Sequence, residues 1–231
     1  ERTRKTMIIG VMCATGQELD HLLKKLENKA VEEKLMRSFV TGEYAGVTVV
    51  AVVGGVGKVN GAITAQELIQ EFGVEKLIFT GLAGGLDPTV TIGDVVIGAE
   101  ILHHDLDMKI MENDQFPGMP TDFFPGDPEM MELCQGLGDN LRFGRIVTGE
   151  TFVTAKERDG IIQRFHPQCV DMESAAVAQV CWFFRIPLLV IRALSDNADE
   201  EVEGAYTENG QWTSVSAASV VFRLLEALGK K

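Results

Sequence analysis

Apolar runs of strand length alternate with amphipathic stretches along nearly the whole chain, and no other feature narrows the fold as much. The run MIIGVMCA (7–14) precedes QELDHLLKKLENK, in which Leu19, Leu22, Leu23 and Leu26 share one helical face. SFVTGEY and VTVVAVVGG flank a short Ala-Gly turn and read as a hairpin. Beyond them the pattern predicts a helix near 58–72, strands in KLIFTGLAG and GDVVIGAEIL, and a helix near 127–138 behind Pro125. A strand in RFGRIVTGE, a helix near 155–165, the strand CVDME, the helix SAAVAQVCWFF, the strand PLLVIRALSD and a last helix near 212–228 complete it. Strands apolar on both faces and alternating with helices belong to a mostly parallel or mixed sheet covered on both sides. No linker, repeat or low-complexity segment intervenes. Residues 7–231 therefore read as a single α/β domain, a mixed central β-sheet flanked by helices. ERTRKT (1–6) begins with Glu1 rather than Met, and reads as the scar of a leader or a remnant of how the chain was produced.

Charge and cysteine usage then remove several functions. A formal net charge of −13 opposes any non-specific grip on phosphate backbones or anionic membranes, so nucleic acid is not an expected partner. No apolar stretch reaches the roughly 18 residues of a membrane span. Cys13, Cys134, Cys169 and Cys181 contain no CxxC pair and read as reduced, buried thiols rather than a metal cluster or disulfide framework. The expected location is the cytoplasm, or an extracytoplasmic one if the first residues are the scar of a leader.

In sheets of this class ligands sit beyond the carboxyl ends of the strands. There the chain carries CATGQE, GGVGK, TGLAGG, TGETFV, DMES and RALSD. GGVGKVNGA (54–62) is neither a Walker loop nor GxGxxG; it is either a loop whose amides approach a ligand or a tight strand-to-helix turn. Asp171 and Glu173 are two apart, which on an extended strand points them to one face. Glu173 alternatively favours the start of the next helix through its dipole. Asp196 is either a site acid or the cap of a turn, and Glu18 alone is an ordinary first-turn acid. If their strands are neighbours, Glu18, Glu173, Arg192 and Asp196 converge on one cleft. Three carboxylates, one arginine and glycine turns suit a neutral, hydroxyl-rich ligand such as a sugar. Splitting a sugar from a nitrogen base needs a protonated leaving group, support for an oxocarbenium cation and an activated water, and three acids can divide those roles. His103 and His104 with Asp105 and Asp107 show no standard metal spacing and read as polar pocket wall or surface.

GGVGKVNGA, TGLAGGL, the DMES stretch and RALSDNADEE, in this order, resemble the nucleoside phosphorylase/hydrolase superfamily, and within it the 5′-methylthioadenosine/S-adenosylhomocysteine nucleosidases. The resemblance runs over nearly the whole chain. It implies a nucleoside phosphorylase-like fold, a homodimer, no metal or other cofactor, and hydrolysis of the N-glycosidic bond of 5′-substituted adenosines, 5′-deoxyadenosine among them. Phosphorolytic members place arginines in the first-strand loop and before the second glycine turn, where this chain reads CATGQELD and IFTGLAGG. By the same resemblance Glu18 activates the water and Arg192 helps to place it. Glu173 binds the ribose 3′-hydroxyl beside Asp171, and the Met172 backbone meets the 2′-hydroxyl. Asp196, positioned by Ser195, serves purine N7. Phe152 stacks on adenine and the Val153 backbone reads its edge. The 5′ tail lies against Val56, Met108, Met111 and Tyr206, with Phe116 and Pro117 of the partner subunit.

On sequence alone Phe152, Val56 and the methionines read as core, and only the motif order makes them pocket. Leu82 stands where relatives commonly carry a small or hydroxylated residue; Thr15, and Asp171 in place of a Glu, are further departures, and the stretch 109–118 is shorter than in some relatives. A purine nucleoside phosphorylase, a hydrolase of 6-amino-6-deoxyfutalosine and a catalytically silent nucleoside-binding or adhesion protein are the alternatives.

Overall fold

The computed structural model describes residues 6–107, 110, 113–114, 118–119, 121–138, 140–198 and 202–231, with the backbone alone at 18, 202–208 and 211. In chain order its elements are β1 (Ile8–Cys13), α1 (Gly16–Lys25), β2 (Glu27–Lys34), β3 (Arg37–Tyr44), β4 (Val47–Val53), α2 (Lys58–Gln70), β5 (Lys76–Gly85) and β6 (Val95–His103). β7 (Phe124–Pro125), α3 (Pro128–Cys134), β8 (Leu141–Thr148), α4 (Ala155–Phe165), β9 (Cys169–Asp171), α5 (Ser174–Phe184), β10 (Leu188–Asp196) and α6 (Val202–Gly229) follow.

The strands form one mixed sheet. β1 lies parallel between β4 and β5. β5 pairs parallel with β10, β10 antiparallel with β6, β6 parallel with β8, and β8 parallel with β9. β9 then returns antiparallel to β5 through Val170 opposite Gly84 and Cys169 opposite Gly85. β5, β10, β6, β8 and β9 therefore close on themselves, while β4, β3 and β2 extend as an open wing beyond β1. The closed part explains why all nine residues of β10 are buried: it has a partner on each edge and helices on both faces. On one face Leu19, Leu22 and Leu26 pack with Ala218, Val221 and Leu225 of α6. On the other, Ala65 and Leu68 of α2 meet Val177 and Cys181 of α5 over Met12 and Phe79. Among the described residues no helix is long and apolar enough to cross a membrane.

Local chemistry sets the boundaries. Asp127 accepts from the Met130 amide at 2.9 Å and Pro128 occupies the first turn of α3. Thr154 and Glu157 form a capping box at the start of α4. Four boundaries differ from the sequence expectation, the first being the end of α3, at Cys134 rather than near 138. α1 stops at Lys25, and the rest of the expected helix enters β2, an exposed edge strand without apolar alternation. Among the described residues its only strand partner is β3, across a two-residue turn in which Leu35 and Met36 take φ of +49° and +59°. The last helix begins at Val202 rather than near 212. The strand predicted in CVDME ends at Asp171, where the chain bends into α5.

Candidate active site

The carboxyl ends of β1, β4, β5, β8, β9 and β10 surround one cleft, holding about 630 Å³ of open space including its mouth. Its walls include Thr15, Val56, Leu82, Phe152, Glu173 and Asp196. Arg192, from the middle of β10, is the only cation among the described residues that line it.

Arg192 anchors the floor. Its side chain is 1% exposed; Nε donates to Asp171 Oδ2 at 2.8 Å and Nη2 to Ser174 Oγ at 3.1 Å. Glu173 Oε2 lies 3.7 Å from Nη2, and the guanidinium stacks 4.1 Å from the Phe79 ring centroid. A buried cation persists only when paired and hydrogen-bonded, and two carboxylates do that here. Asp171 and Glu173 thus have the cation that their sequence neighbourhood lacks, supplied from 21 residues downstream. They reach it although the extended strand expected through both is broken, because Glu173 sits in the cap position of α5 with φ −136° and ψ −35°. Asp171 is fully engaged by the protein. Its Oδ1 accepts from Thr148 Oγ1 at 2.6 Å and from the Glu173 and Ser174 amides at 3.3 and 3.2 Å, and its Oδ2 from Ser174 Oγ and Arg192. Glu173 Oε1 accepts from the Gly57 amide at 2.9 Å. That amide opens α2, at a residue with φ of +96°, where glycine is favoured.

Asp196 lines the same cleft from the carboxyl end of β10. Its Oδ2 accepts from Ser195 Oγ at 2.8 Å and its Oδ1 from the Ala198 amide at 2.8 Å. The Asp196 carboxylate caps the turn after β10 and also lines the cleft. It fits only because residue 84 is glycine, since a Cβ there would lie 2.8 Å from Asp196 Oδ1. Val153 is buried, while Phe152 is 59% exposed and Val56 half-exposed in the same lining. Neither Phe152 nor Val56 is core. Met172 and Leu82 line the cleft as well.

Glu18 stands in the first turn of α1, three residues beyond Thr15 in the cleft wall, and its side chain lies outside the described residues. So does that of Tyr206, on α6, while Met108, Met111, Phe116 and Pro117 lie outside them entirely. Thr148 and Ser174 were missed as site-building residues. Both stand in stretches singled out for their acids and glycines, TGETFV and DMES, and their hydroxyls carried no separate signal. Around HHDLD no group of three or more metal-binding side chains assembles among the described residues. His103 is buried and hydrogen-bonded through Nε2 to Gln179 Oε1 at 3.1 Å.

A mixed sheet that closes on itself, with acids at its strand ends, defines the class. Residues 8–229 match the family model described as the phosphorylase superfamily. The 5′-methylthioadenosine/S-adenosylhomocysteine nucleosidase of Bacillus subtilis (strain 168) is 34% identical over 231 residues, 96% of this chain and all of that one. A solved nucleosidase of the same description from S. pneumoniae, in complex with the transition-state inhibitor MT-ImmA, superposes with a TM-score of 0.89 at 33% identity, over 96% of this chain and 100% of the other. A futalosine hydrolase mutant of Helicobacter pylori strain 26695 gives 0.88 at 25% identity, over 96% and 100% of the two chains. The chain belongs to the phosphorylase superfamily, in its family of 5′-methylthioadenosine/S-adenosylhomocysteine nucleosidases.

Proposed function

We propose that this chain hydrolyses the N-glycosidic bond of 5′-methylthioadenosine and S-adenosylhomocysteine, with 5′-deoxyadenosine as a further substrate, releasing adenine and the 5-substituted ribose. The observation that carries hydrolysis over phosphorolysis is how the cleft spends its positive charge. Arg192 is committed to Asp171 and Glu173, and the helix start facing the cleft, where an anion would dock, already holds carboxylates: Glu173 on the Gly57 amide and Glu150 on the Lys58 amide at 3.0 Å. A phosphate dianion entering there would be repelled by these carboxylates, whereas a neutral water would not.

In this reading Asp196, held by Ser195, delivers a proton to N7 and makes the purine a neutral leaving group. Glu173, fixed by Gly57 and Arg192, binds the ribose and stabilises the positive charge that grows on the sugar as C1′–N9 breaks, with the Met172 backbone at the 2′-hydroxyl. Glu18 takes a proton from the attacking water as its oxygen bonds C1′. Asp171 and Arg192 act on the ribose side through Glu173, and the water-placing role of Arg192 rests on the family resemblance. Phe152 covers the adenine, the Val153 backbone reads its edge, and Val56 meets the 5′ group, with Met108, Met111 and Tyr206 beyond it. We read the assembly as a homodimer. Val56, Val59 and Ile63 expose apolar surface at and along α2, and Arg37 ties the hairpin carrying the exposed Met36 to Asn60 of that helix at 2.7 Å. Phe116 and Pro117 of the partner subunit then complete each cleft. Four buried cysteines, none of them in a disulfide, support a cytoplasmic enzyme.

The test is adenine release from methylthioadenosine with and without phosphate, for wild type and Asp196→Asn. Turnover independent of phosphate and a loss of about 10²–10⁴-fold in the variant are expected from general-acid catalysis. Dependence on phosphate, or a variant near wild-type rate, overturns the reading. Specificity constants on 6-amino-6-deoxyfutalosine against methylthioadenosine separate the futalosine-type alternative.

A further inference from the structure

Three loops around the cleft are joined by charges outside the catalytic set. Lys58, at the start of α2, pairs through Nζ with Asp105 Oδ1, in the loop after β6. The other Asp105 oxygen accepts from the Glu150 amide at 3.0 Å, in the loop after β8, and Glu150 Oε1 accepts in turn from the Lys58 amide at 3.0 Å. The circuit is closed: each residue holds the other two. Asp105 is ionised within it: partial burial opposes the charge, but the Lys58 ammonium and the Glu150 amide bring its pKa below the usual carboxylate value. The His104 ring packs where a side chain at Gly149 would stand, so no bulkier residue fits beside the clasp.

The neighbours of this circuit give it a function. Glu150 precedes Thr151, Phe152 and Val153, the wall assigned to the purine. Lys58 follows Gly57, whose amide fixes Glu173, the acid assigned to the ribose. A Cβ on Gly57 would sit 3.2 Å from Glu150 Oε2, so the two loops are in close register. We propose that Glu150, with Lys58 and Asp105, is a positioning residue that locks the purine-facing segment 151–153 to the ribose-facing Glu173. The clasp rests on the reading of the cleft given above. Its Lys58 and Asp105 side chains keep 19% and 31% of their exposure, and partly exposed ion pairs add little global stability. The effect falls on geometry instead, where a shift of about 1 Å in a positioned group can lower rates about 10²-fold.

The experiment measures adenine affinity by calorimetry, kcat on methylthioadenosine and melting temperature for wild type, Glu150→Ala and Glu150→Gln. Glu150→Ala is expected to weaken adenine binding about tenfold and to lower kcat about tenfold, with the melting temperature within about 2 °C of wild type. Glu150→Gln keeps an oxygen for the Lys58 amide and is expected to return both values to within about threefold. Unchanged kinetics and affinity, a change in adenine affinity alone, or failure of Gln to rescue overturns the proposal. Where Glu150→Ala does not fold, Lys58→Met carries the same test, because it removes the Asp105 pair and keeps the backbone amide. A wild type that binds adenine but releases none sinks the functional reading only; the adenine affinities then decide the clasp.

Discussion

Asp171→Ala is the sharpest perturbation that the site offers. The carboxylate accepts from five groups. Arg192 loses its 2.8 Å partner, Thr148 Oγ1 and Ser174 Oγ lose an acceptor, and two amides at the bend into α5 lose theirs. Both charged side chains are almost completely buried, at 1% for Arg192 and 2% for Asp171, so solvent screening does not soften the loss. Removing one partner of such a pair costs about 3–5 kcal/mol, because the other charge remains buried without compensation. Glu173, 3.7 Å from Nη2, recovers part of this by moving toward the cation, so the lower half of the range applies. For a domain of this size each kcal/mol moves the melting temperature by about 2–4 °C, so a drop of about 6–16 °C is expected. Differential scanning calorimetry at pH 7 reads it directly. The mechanism also predicts that adding Arg192→Met to Asp171→Ala restores part of the loss, since the orphaned cation goes with it. A single variant melting within about 2 °C of wild type, or a double variant less stable than the single, would refute the account of Arg192 as a charge held by Asp171.

Two further outcomes follow from the same geometry. Gly84→Ala places a methyl 2.8 Å from Asp196 Oδ1 and 3.0 Å from the Ala198 Cβ, so the acid must move; a fall in kcat of about 10²-fold or more is expected in steady-state assays, and an active variant would mean that Asp196 is not held where the structure has it. Burial, aided by the charge on Lys58, holds the His103 imidazole below its ordinary value of 6.5 in the folded state. As pH falls below about 6.5 the unfolded chain therefore takes the proton first, and stability declines until the folded-state pKa is reached. Urea titrations between pH 7.5 and 5 are expected to show a shallower decline for His103→Gln; equal slopes would place the titrating group elsewhere.

The parts of this molecule that were legible from sequence are those whose signal lies within a few residues. Apolar runs marked β1, β5, β6 and β10 because burial on both faces leaves few polar positions, and those cluster toward the carboxyl ends, while the Ala45–Gly46 turn carried its own hairpin signature. β2 was illegible for the opposite reason. All but one of its residues are exposed, its backbone pairs with β3 on one edge, and a sequence such as ENKAVEEK continues a helical charge pattern as readily as it makes a strand. The acids were found one by one, but the cation that makes two of them compatible was not assigned to them. Asp171 and Arg192 meet only because β9 pairs with β5 while β5 pairs with β10, a closure that no local pattern encodes.

That closure also bears on how the two halves of the cleft stay in register. Asp196 and Arg192 ride on one strand, β10, whereas Asp171 and Glu173 stand where β9 bends into α5. β9 is three residues long and contributes few ladder hydrogen bonds, so the ladder alone is a weak guarantee of the distance between Asp196 and Glu173. The buried contacts of Arg192 with Asp171 and Ser174 supply the missing constraint across the floor. The Glu173 to Gly57 bond and the Lys58–Asp105–Glu150 circuit supply it around the rim. A glycosidic bond is broken between two groups that must be addressed together, and this fold fixes their separation with side-chain charges because the three residues of β9 leave the backbone too little to do it.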